Sequence, residues 1–353
     1  MKLLVSALET SSNIHLKELK KHLPSSVELF GIFDKSIANP NYDITQLAVM
    51  GFVDAIKRLP FFLNLINEMV ALAKDADKIL LMDSSGFNLP LAKKIKTKYP
   101  DKQIIYYILP QAWAWKKGRI PKIEKYCDVL CSILPFEQDY YTKKEKIQYV
   151  GHPLLDEITR YKRDTIDSNK IVFMPGSRKT EIQNLMPIYK QLAKKIKDKK
   201  IILVIPKHFS QEFIAANYTD ISQFEISTDP YEALYEAEFA FICSGTATLE
   251  ASIIGTPLIL SYIAKPFDFF IGKLLVKLEY IGLANIFFSK MGKAPLHNEY
   301  LQTEVTVDNL YNGYINTNKE QFVTKAIQLR EYLGHGSSKN VATIIMENTY
   351  HIQ

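Results

Sequence analysis

The chain has 353 residues, of which 47% are apolar and 23% are charged. This composition is ordinary for a globular protein and excludes disordered, collagen-like and low-complexity classes. No apolar stretch reaches the roughly 18 residues of a membrane span, and the apolar part of the N-terminus is too short for a signal peptide. We therefore expect about two domains in the cytoplasm, where Cys127, Cys131 and Cys243 remain free thiols.

The basic excess lies entirely in the N-terminal half. Residues 1–165 contain 25 basic and 19 acidic residues, whereas residues 166–353 contain 19 of each, which gives the net charge of +6. A basic half fits a phosphorylated substrate or an anionic membrane surface. Nucleic acid is not an expected partner, because zinc-finger spacings and RNA-binding aromatic motifs are absent.

Short apolar segments typical of buried strands alternate with helical patterns along the chain. The first half predicts strands at Lys2–Ala7, Val27–Phe33, Lys78–Asp83, Ile104–Leu109, Asp128–Leu134 and Gln148–Val150, and helices at Ile14–His22, Val53–Lys74, Leu89–Lys98 and Gln138–Lys144. The second half predicts strands at Ile171–Met174, Ile201–Ile205, Phe224–Ser227, Glu238–Cys243 and Pro257–Tyr262, and helices at Thr180–Lys197, Pro230–Ala237 and Thr246–Ile254, with a helical tail after Leu310. This alternation favours parallel sheets covered on both faces. It predicts two doubly wound α/β domains, residues 1–165 and 166–353, joined at the polar stretch 160–170.

Two predicted strand ends in the second half carry residues suited to a phosphate. Pro175-Gly176-Ser177-Arg178 follows one strand, and Ser244-Gly245-Thr246-Ala247-Thr248 follows another. Each segment opens a helix, whose free N–H groups and positive dipole end attract anions, and Arg178 adds a guanidinium. Glu250, one turn into the second helix, can accept hydrogen bonds from the vicinal hydroxyls of a ribose. Ordinary helix capping would also explain the hydroxyls and Glu250.

Several longer motifs occur together in one order. They are Tyr106 through Trp115 (YYILPQAWAW), Leu134-Pro135-Phe136-Glu137, Val150-Gly151-His152-Pro153-Leu154, Met174 through Arg178, and Ser244 through Glu250 (SGTATLE). With these motifs the chain resembles the lipid-A-disaccharide synthases, which form glycosyltransferase family 19. The resemblance covers roughly residues 6–302 and implies the GT-B fold, with two Rossmann-like domains facing a central cleft.

The resemblance implies an inverting enzyme that needs no metal or other cofactor. It would condense UDP-2,3-diacylglucosamine with 2,3-diacylglucosamine 1-phosphate to give the lipid A disaccharide 1-phosphate and UDP. The C-terminal domain would bind UDP through Gly176, Ser177, Arg178, Ser244, Gly245, Thr246, Ala247, Thr248, Glu250, Asn285, Glu299 and Gln302, and Arg178 would also stabilise the leaving group. The N-terminal domain would bind the acceptor through Ser11, Asn88, Trp115, Arg119 and His152.

The general base is the point at which this sequence departs from the family. The family segment Asp-x-Pro-Asp-Phe-Asn has its favoured base at the second Asp, and here the segment is Asp83-Ser84-Ser85-Gly86-Phe87-Asn88. Gly86 therefore occupies the position of the catalytic carboxylate. Asp83, at the end of a predicted strand, is the nearest remaining carboxylate, and Glu9 and His15 are its rivals. Asp83 could also simply cap the following helix.

Two segments combine aromatic and cationic residues as interfacial helices do: Val53–Lys74 and Pro266–Phe288. They favour a peripheral location on the cytoplasmic face of the inner membrane, in contact with its lipids. An oligomer is possible. Two alternative functions remain open: another GT-B UDP-sugar transferase with a lipid-linked acceptor, and a non-catalytic acyl-sugar-binding protein.

Overall fold

The structure, a computed structural model, describes residues 1–49, 59–115, 117–264 and 279–347. The chain divides into two compact units. The first contains Met1–Glu157 together with the C-terminal segment that begins at Leu333, and the second contains Ile158–Tyr332. The sequence predicts the boundary at residue 165 and counts the C-terminal helices with the second domain, as helices that could pack back on the first. The final helix lies in the first unit, where it buries its apolar face against the first sheet.

The first unit is a seven-stranded parallel sheet with helices on both faces. Its strands are β1 (Lys2–Ala7), β2 (Glu28–Phe33), β3 (Tyr42–Asp43), β4 (Lys78–Met82), β5 (Gln103–Tyr107), β6 (Val129–Ser132) and β7 (Ile147–Tyr149). They are ordered β3-β2-β1-β4-β5-β6-β7. Its helices are α1 (Thr10–Lys20), α2 (Ile44–Val49), α3 (Leu59–Leu72), α4 (Ser85–Lys98), α5 (Ala112–Trp115), α6 (Ile120–Tyr126) and α7 (Leu154–Glu157).

The second unit is a six-stranded parallel sheet. Its strands are β8 (Lys170–Met174), β9 (Lys200–Val204), β10 (Glu225–Ser227), β11 (Phe239–Cys243), β12 (Leu258–Tyr262) and β13 (Asn298–Leu301), ordered β10-β9-β8-β11-β12-β13. Its helices are α8 (Lys179–Lys195), α9 (Gln211–Tyr218), α10 (Pro230–Glu236), α11 (Thr246–Ile254), α12 (Leu283–Lys290), α13 (Val307–Ile315) and most of α14 (Lys319–Leu333). The final helix, α15 (Ser337–Met346), belongs to the first unit.

Alternate residues of each central strand point to opposite faces, and both faces are buried. In the first unit, Leu4 and Leu81 lie in one apolar core with residues of α3, α4 and α6. Leu3, Val5 and Leu80 lie in the other core, with residues of α1 and α15. This two-sided burial explains why the strands are continuous apolar runs rather than alternating ones.

Short 3₁₀ segments complete the fold at Lys117–Arg119, Glu137–Tyr140, Lys144–Lys146 and Gln302–Glu304. The α-helix predicted at Gln138–Lys144 is wrong, since two of these segments occupy that region. The prediction also lacked β3 and β13. The three cysteines are free and buried. Within the described ranges, no helix is both long and apolar enough to cross a membrane.

Candidate functional site

Each sheet has one place where neighbouring parallel strands lead to helices on opposite faces, and ligands of doubly wound folds bind outside the strand ends at that place. In the first unit this place lies between β1 and β4, which pair from Leu3 with Lys78 to Ala7 with Met82. Glu9 follows β1, and Asp83 and Ser84 follow β4. The loops after β1 and β4 are joined there, because the Ser84 hydroxyl donates a hydrogen bond of 2.8 Å to the Glu9 carboxylate.

The backbone that carries Asp83 is strained. Asp83 has a φ of 47° and Ser84 a φ of 39°, both in the left-handed region that side chains other than glycine rarely adopt. Two buried groups hold this turn. The Asn88 amide donates to the carbonyls of Met82 and Asp83, each at 2.9 Å, and the Tyr106 hydroxyl donates to the Asp83 carbonyl at 2.6 Å. Strain that is over-determined in this way is frequent at functional sites.

Asn88 and Asn13 are scaffold residues. The Asn88 oxygen accepts from the Ser6 hydroxyl at 2.7 Å, so the buried Asn88 amide bonds to protein groups at both ends. The Asn13 amide donates to the carbonyls of Ala7 and Glu9, each at 2.8 Å, and accepts the Asp34 N–H at 2.7 Å. An ionised aspartate at position 13 could not donate these bonds.

The electrostatics of Asp83 suit a base. The pKa of its carboxyl is raised from 3.8 to about 6, mainly by burial and then by the nearby Glu9 charge, whereas the Ser84 N–H and His15 act in the opposite direction. A carboxyl with this pKa is mostly ionised above pH 6 and still holds a proton more readily than an exposed aspartate. That is the compromise expected of a general base near neutral pH.

His15, which acts on Asp83, and His152 have different surroundings. His15 Nδ1 is in close hydrogen-bond contact with the Glu157 carboxylate, and the two side chains are 13% and 17% exposed. His152 is fully enclosed, and burial, together with the charge of His15, lowers its pKa to about 3. His152 is therefore neutral at physiological pH, and its Nδ1 accepts the Leu154 N–H at 3.3 Å.

The other predicted acceptor residues lie in two segments, one after β1 and one after β5. Ser11 is exposed on the first turn of α1. The Arg119 guanidinium donates to the Ser85 hydroxyl at 2.6 Å, which joins the loop after β5 to the start of α4. Trp115 ends α5, and its side chain lies outside the described part of the chain. Gly86 is exposed, and a Cβ placed there would meet no atom within 4 Å.

In the second unit the corresponding place lies between β8 and β11, which pair from Phe239 with Ile171 to Ile242 with Met174. The loop after β8 is organised by Glu181, a buried residue of α8. Its carboxylate accepts the N–H groups of Ser177 and Arg178 at 3.3 and 3.1 Å and the Arg178 guanidinium at 2.9 Å. The Arg178 side chain is nevertheless 77% exposed, so it remains accessible to a ligand.

Gly176 is required by this loop. Its φ is 101°, and a Cβ there would lie 2.5 Å from the Glu181 carboxylate and 3.2 Å from the Cys243 sulfur. The absence of a side chain lets the loop after β8 approach both α8 and the end of β11. From the sequence, Gly176 was assigned to the site but Glu181 was not. The feature that could have indicated Glu181 is its position as an acidic residue three places after Arg178.

The loop after β11 exposes the start of a nine-residue helix. Gly245 and Thr246 are exposed, and Ala247 is half-buried. Thr248 is buried, and its hydroxyl donates to the Gly245 carbonyl at 2.8 Å, so this predicted ligand stabilises the turn. Ser244 and Glu250 are half-buried. The N–H groups of this exposed first turn lie, like Arg178, at the carboxyl ends of β8 and β11. A helix start beside a guanidinium suits a diphosphate.

The remaining predicted nucleotide ligands are bonded within the protein. Buried Asn285 donates to the His297 carbonyl and to Glu299 at 2.9 and 2.8 Å, and accepts the Leu296 N–H at 2.8 Å. Glu299 also accepts the N–H groups of Ile281 and Gly282, at 2.8 and 3.1 Å. The side-chain amide of Gln302 faces the backbone of Ala264 at 3.2 Å. These residues shape the start of α12 and the end of β13, and direct contact with a nucleotide stays a prediction.

Nearly the whole chain matches a known family. The family model described as lipid-A-disaccharide synthetase matches residues 3–343. The chain belongs to the lipid-A-disaccharide synthase family. It is 51% identical over 352 residues to the lipid-A-disaccharide synthase of Helicobacter pylori strain G27, with 96% of each chain covered. It is 45% identical to that of Campylobacter jejuni strain RM1221, with 98% of this chain and 99% of the relative covered.

Solved structures agree on the architecture. The UDP-GlcNAc 2-epimerase of Neisseria meningitidis has a TM-score of 0.62 at 11% identity, covering 99% of this chain and 100% of the other. Acinetobacter baumannii MurG has a TM-score of 0.56 at 12% identity, covering 98% of each chain. The GT-B fold predicted from the sequence is confirmed. So is the predicted function: this family member is a glycosyltransferase of lipid A biosynthesis.

The strained turn generates a prediction that separates stability from activity. Asp83→Gly should raise the free energy of unfolding at pH 7 by about 1 kcal/mol, because glycine adopts a positive φ without the cost borne by other residues. It should also abolish transferase activity if Asp83 is catalytic. Urea unfolding and a transferase assay measure the two effects.

The matched control is Asn169→Gly. Asn169 also has a positive φ, of 60°, and is exposed in the second unit. This variant should gain stability without losing activity. An Asp83→Gly protein that is less stable than the wild type would contradict the strain at this turn, and a fully active one would exclude Asp83 from catalysis.

Proposed function

We propose that the enzyme transfers a 2,3-diacylglucosamine from UDP to the 6-hydroxyl of 2,3-diacylglucosamine 1-phosphate with inversion, and that Asp83 is the general base. The first part rests on membership of the family. The second rests on one observation: Asp83 is the half-buried carboxylate at the β1/β4 strand ends, on a turn held in strain by Asn88 and Tyr106. Inversion in one displacement needs a base on the attacking hydroxyl and stabilisation of the leaving group.

The base assignment accounts for Gly86. The family carboxylate is missing there, and Asp83 lies three residues earlier in the same loop. Glu9 is the weaker rival because it accepts the Ser84 hydroxyl at 2.8 Å. His15 is the other rival, and its ring is already paired with Glu157. In this proposal both rivals are positioning residues: the Glu9 charge raises the pKa of Asp83, and His15 lowers it.

The UDP leaving group is assigned to the second unit. Exposed Arg178 supplies a guanidinium, and the first turn of α11 supplies N–H groups with a positive dipole end. Glu250 is assigned to the ribose hydroxyls. We propose that these groups neutralise the developing charge without a metal ion. Asn285, Glu299 and Gln302 would then act by shaping the neighbouring loop.

The base prediction concerns turnover alone. Asp83→Asn should lower kcat by about 10²–10⁴, the usual contribution of a positioned base, because the amide cannot take the hydroxyl proton. UDP affinity, measured by calorimetry, should stay at the wild-type value. Glu9→Gln and His15→Asn are the matched controls and should retain most activity. An active Asp83→Asn enzyme beside an inactive Glu9→Gln or His15→Asn enzyme would move the base to that rival.

The leaving-group prediction concerns the nucleotide. Arg178→Ala should lower kcat by about 10²–10³, the typical effect of losing one donor to a developing charge, and Glu250→Ala should weaken UDP binding. Glu212→Ala is the control, since Glu212 is an acidic residue in the first turn of α9. Wild-type activity and UDP affinity in both test variants would contradict the nucleotide assignment.

We also propose that the enzyme associates peripherally with an anionic membrane surface through α3. Phe61 and Leu63 are 38% and 43% exposed near the start of this helix. Phe62 packs edge-on against Phe87 at 5.2 Å, which fixes the helix to the unit. Lys94 of α4 donates to Asn67 of α3 at 2.7 Å, which places a cation beside the apolar residues. Two parts of the predicted membrane segments lie outside the described residues. They are Lys57 with Arg58, and residues 266–278 of the segment Pro266–Phe288.

The membrane prediction is tested by vesicle co-sedimentation. Binding to phosphatidylglycerol vesicles should weaken as salt rises, since each cation near an anionic surface contributes about 1 kcal/mol that salt screens. Leu63→Asp should bind these vesicles more weakly than the wild type. Ile315→Asp, at a residue that is 56% exposed in the second unit, should bind them as the wild type does. Binding that ignores salt and lipid charge, or equal loss in both variants, would contradict the proposed surface.

A further inference from the structure

Glu137 is a buried carboxyl group that the proposed mechanism does not use. It follows Leu134-Pro135-Phe136, begins a 3₁₀ segment and is 1% exposed. Across the described ranges of the chain, no Lys, Arg or His forms an ion pair with it. An ionised carboxylate buried without a cation is costly, so its protonation state needs a structural account.

The hydrogen bonds around Ser132 provide that account. The Ser132 hydroxyl oxygen lies 3.0 Å from the Leu134 carbonyl, 3.2 Å from the Leu134 N–H and 2.6 Å from a Glu137 oxygen. The hydroxyl has one hydrogen, so it cannot donate to both the carbonyl and Glu137. All three contacts are satisfied together only when Ser132 donates to the carbonyl and Glu137 carries a hydrogen that it donates to Ser132.

We propose that Glu137 is a neutral carboxylic acid that donates to Ser132 and acts as a positioning residue for the loops after β5 and β6. Its second oxygen, Oε1, is buried and has no hydrogen-bond partner among the described residues. A neutral carbonyl oxygen tolerates this environment far better than a carboxylate oxygen. Consistently, burial is the main cause that raises the pKa of Glu137 from its ordinary 4.5 to about 8.

The titratable surroundings of Glu137 do not offer a compensating charge. Tyr141 faces it, and burial, with the Glu137 charge next, raises the pKa of that phenol well above its usual range. Cys127 and Glu124, the other titratable groups that act on Tyr141, also raise its pKa. Lys117 lies over the neighbouring Tyr140 ring, 5.5 Å from its centre. Tyr140 is itself only half-buried.

The neutral acid supports an aromatic cluster in the loops after β5 and β6. The neighbouring Phe136 ring packs edge-on against Trp113 of α5, with centroids 4.9 Å apart, and Trp113 also lies 6.2 Å from Tyr140. Helix α5 leads into Arg119, which donates to Ser85 beside the Asp83 turn. Glu137 thus fixes one end of a series of contacts that runs through the loops after β6, β5 and β4.

The test compares Glu137→Gln with Asp139→Asn. A glutamine keeps one donor and one acceptor and so imitates the neutral acid, whereas Asp139 is exposed two residues away and undergoes the same carboxyl-to-amide change. The folded wild type binds the Glu137 proton more tightly than the unfolded chain. Stability from this group is therefore fully present below pH 4.5 and is lost as the pH rises to about 8.

Urea unfolding between pH 5 and 8 should show this difference. The unfolding equilibrium constant of the wild type should rise relative to Glu137→Gln by up to about tenfold per pH unit, and Asp139→Asn should follow the wild type. In carbon-13 NMR of protein labelled at glutamate carboxyls, one wild-type resonance should titrate near pH 8 and should be absent from Glu137→Gln. The NMR titration needs only the wild type, so it decides the question even if a variant fails to fold.

Parallel pH profiles for the wild type and Glu137→Gln, or no glutamate resonance titrating above pH 7, would overturn the proposal. A further arm rests on the proposed function. Glu137→Leu, which keeps the bulk and loses both hydrogen-bonding groups, should raise the KM for the diacylglucosamine 1-phosphate acceptor, whereas Glu137→Gln should not. If Glu137→Leu leaves this KM unchanged while the NMR result holds, the acid is neutral but does not position the acceptor loops.

Discussion

In each unit, one pair of neighbouring parallel strands leads to helices on opposite faces of the sheet. This divergence, between β1 and β4 and between β8 and β11, is the constraint on which the candidate site depends. It leaves unpaired backbone groups and space at the carboxyl ends of these strands, where loops carry polar side chains. Glu9 and Ser84 are hydrogen-bonded to each other at the strand ends of the first unit, and the loop ordered by Glu181 lies at those of the second. The chemistry of the two places differs because different side chains occupy the same topological position.

At the strand ends of the first unit, our proposal is a relocated carboxylate. The resemblance puts the family carboxylate at the exposed Gly86, in the first turn of α4, where space for a side chain remains. Asp83 lies instead on a turn of two left-handed residues, which the protein stabilises with Asn88 and Tyr106. A chain that maintains such strain around one half-buried carboxyl gains nothing for stability, which is why we connect the strain with catalysis. Burial then supplies the raised pKa that a base requires.

Much of the fold could be predicted because its strands are buried on both faces. The bounds of β1 agree with the prediction at both ends, and most other strands agree within one or two residues. The missed strand Asn298–Leu301 is polar and lies at the edge of its sheet, so it has no apolar run. The segment after Phe136 has a helical composition but forms a four-residue 3₁₀ segment, which begins at the buried Glu137 that is bonded to Ser132.

The site was only partly predictable, because a sequence shows which residues are polar but not which partners they have. Asn285 and Glu299 were predicted to bind the nucleotide, yet their hydrogen bonds go to backbone groups distant in sequence. Glu181 and Glu137 resemble surface acids in the sequence and are buried in the structure. Asp83 could be named from its place after a strand, but its positive φ could not.

The central claim is that the base has moved along its loop while its role has stayed. The most direct measurement is the turnover of the double variant Asp83→Asn/Gly86→Asp beside that of Asp83→Asn alone. The account predicts that restoring the carboxylate at position 86, where a side chain meets no obstruction, recovers a large part of the lost kcat at unchanged UDP affinity. A double variant that folds, binds UDP and remains as inactive as Asp83→Asn would contradict the claim.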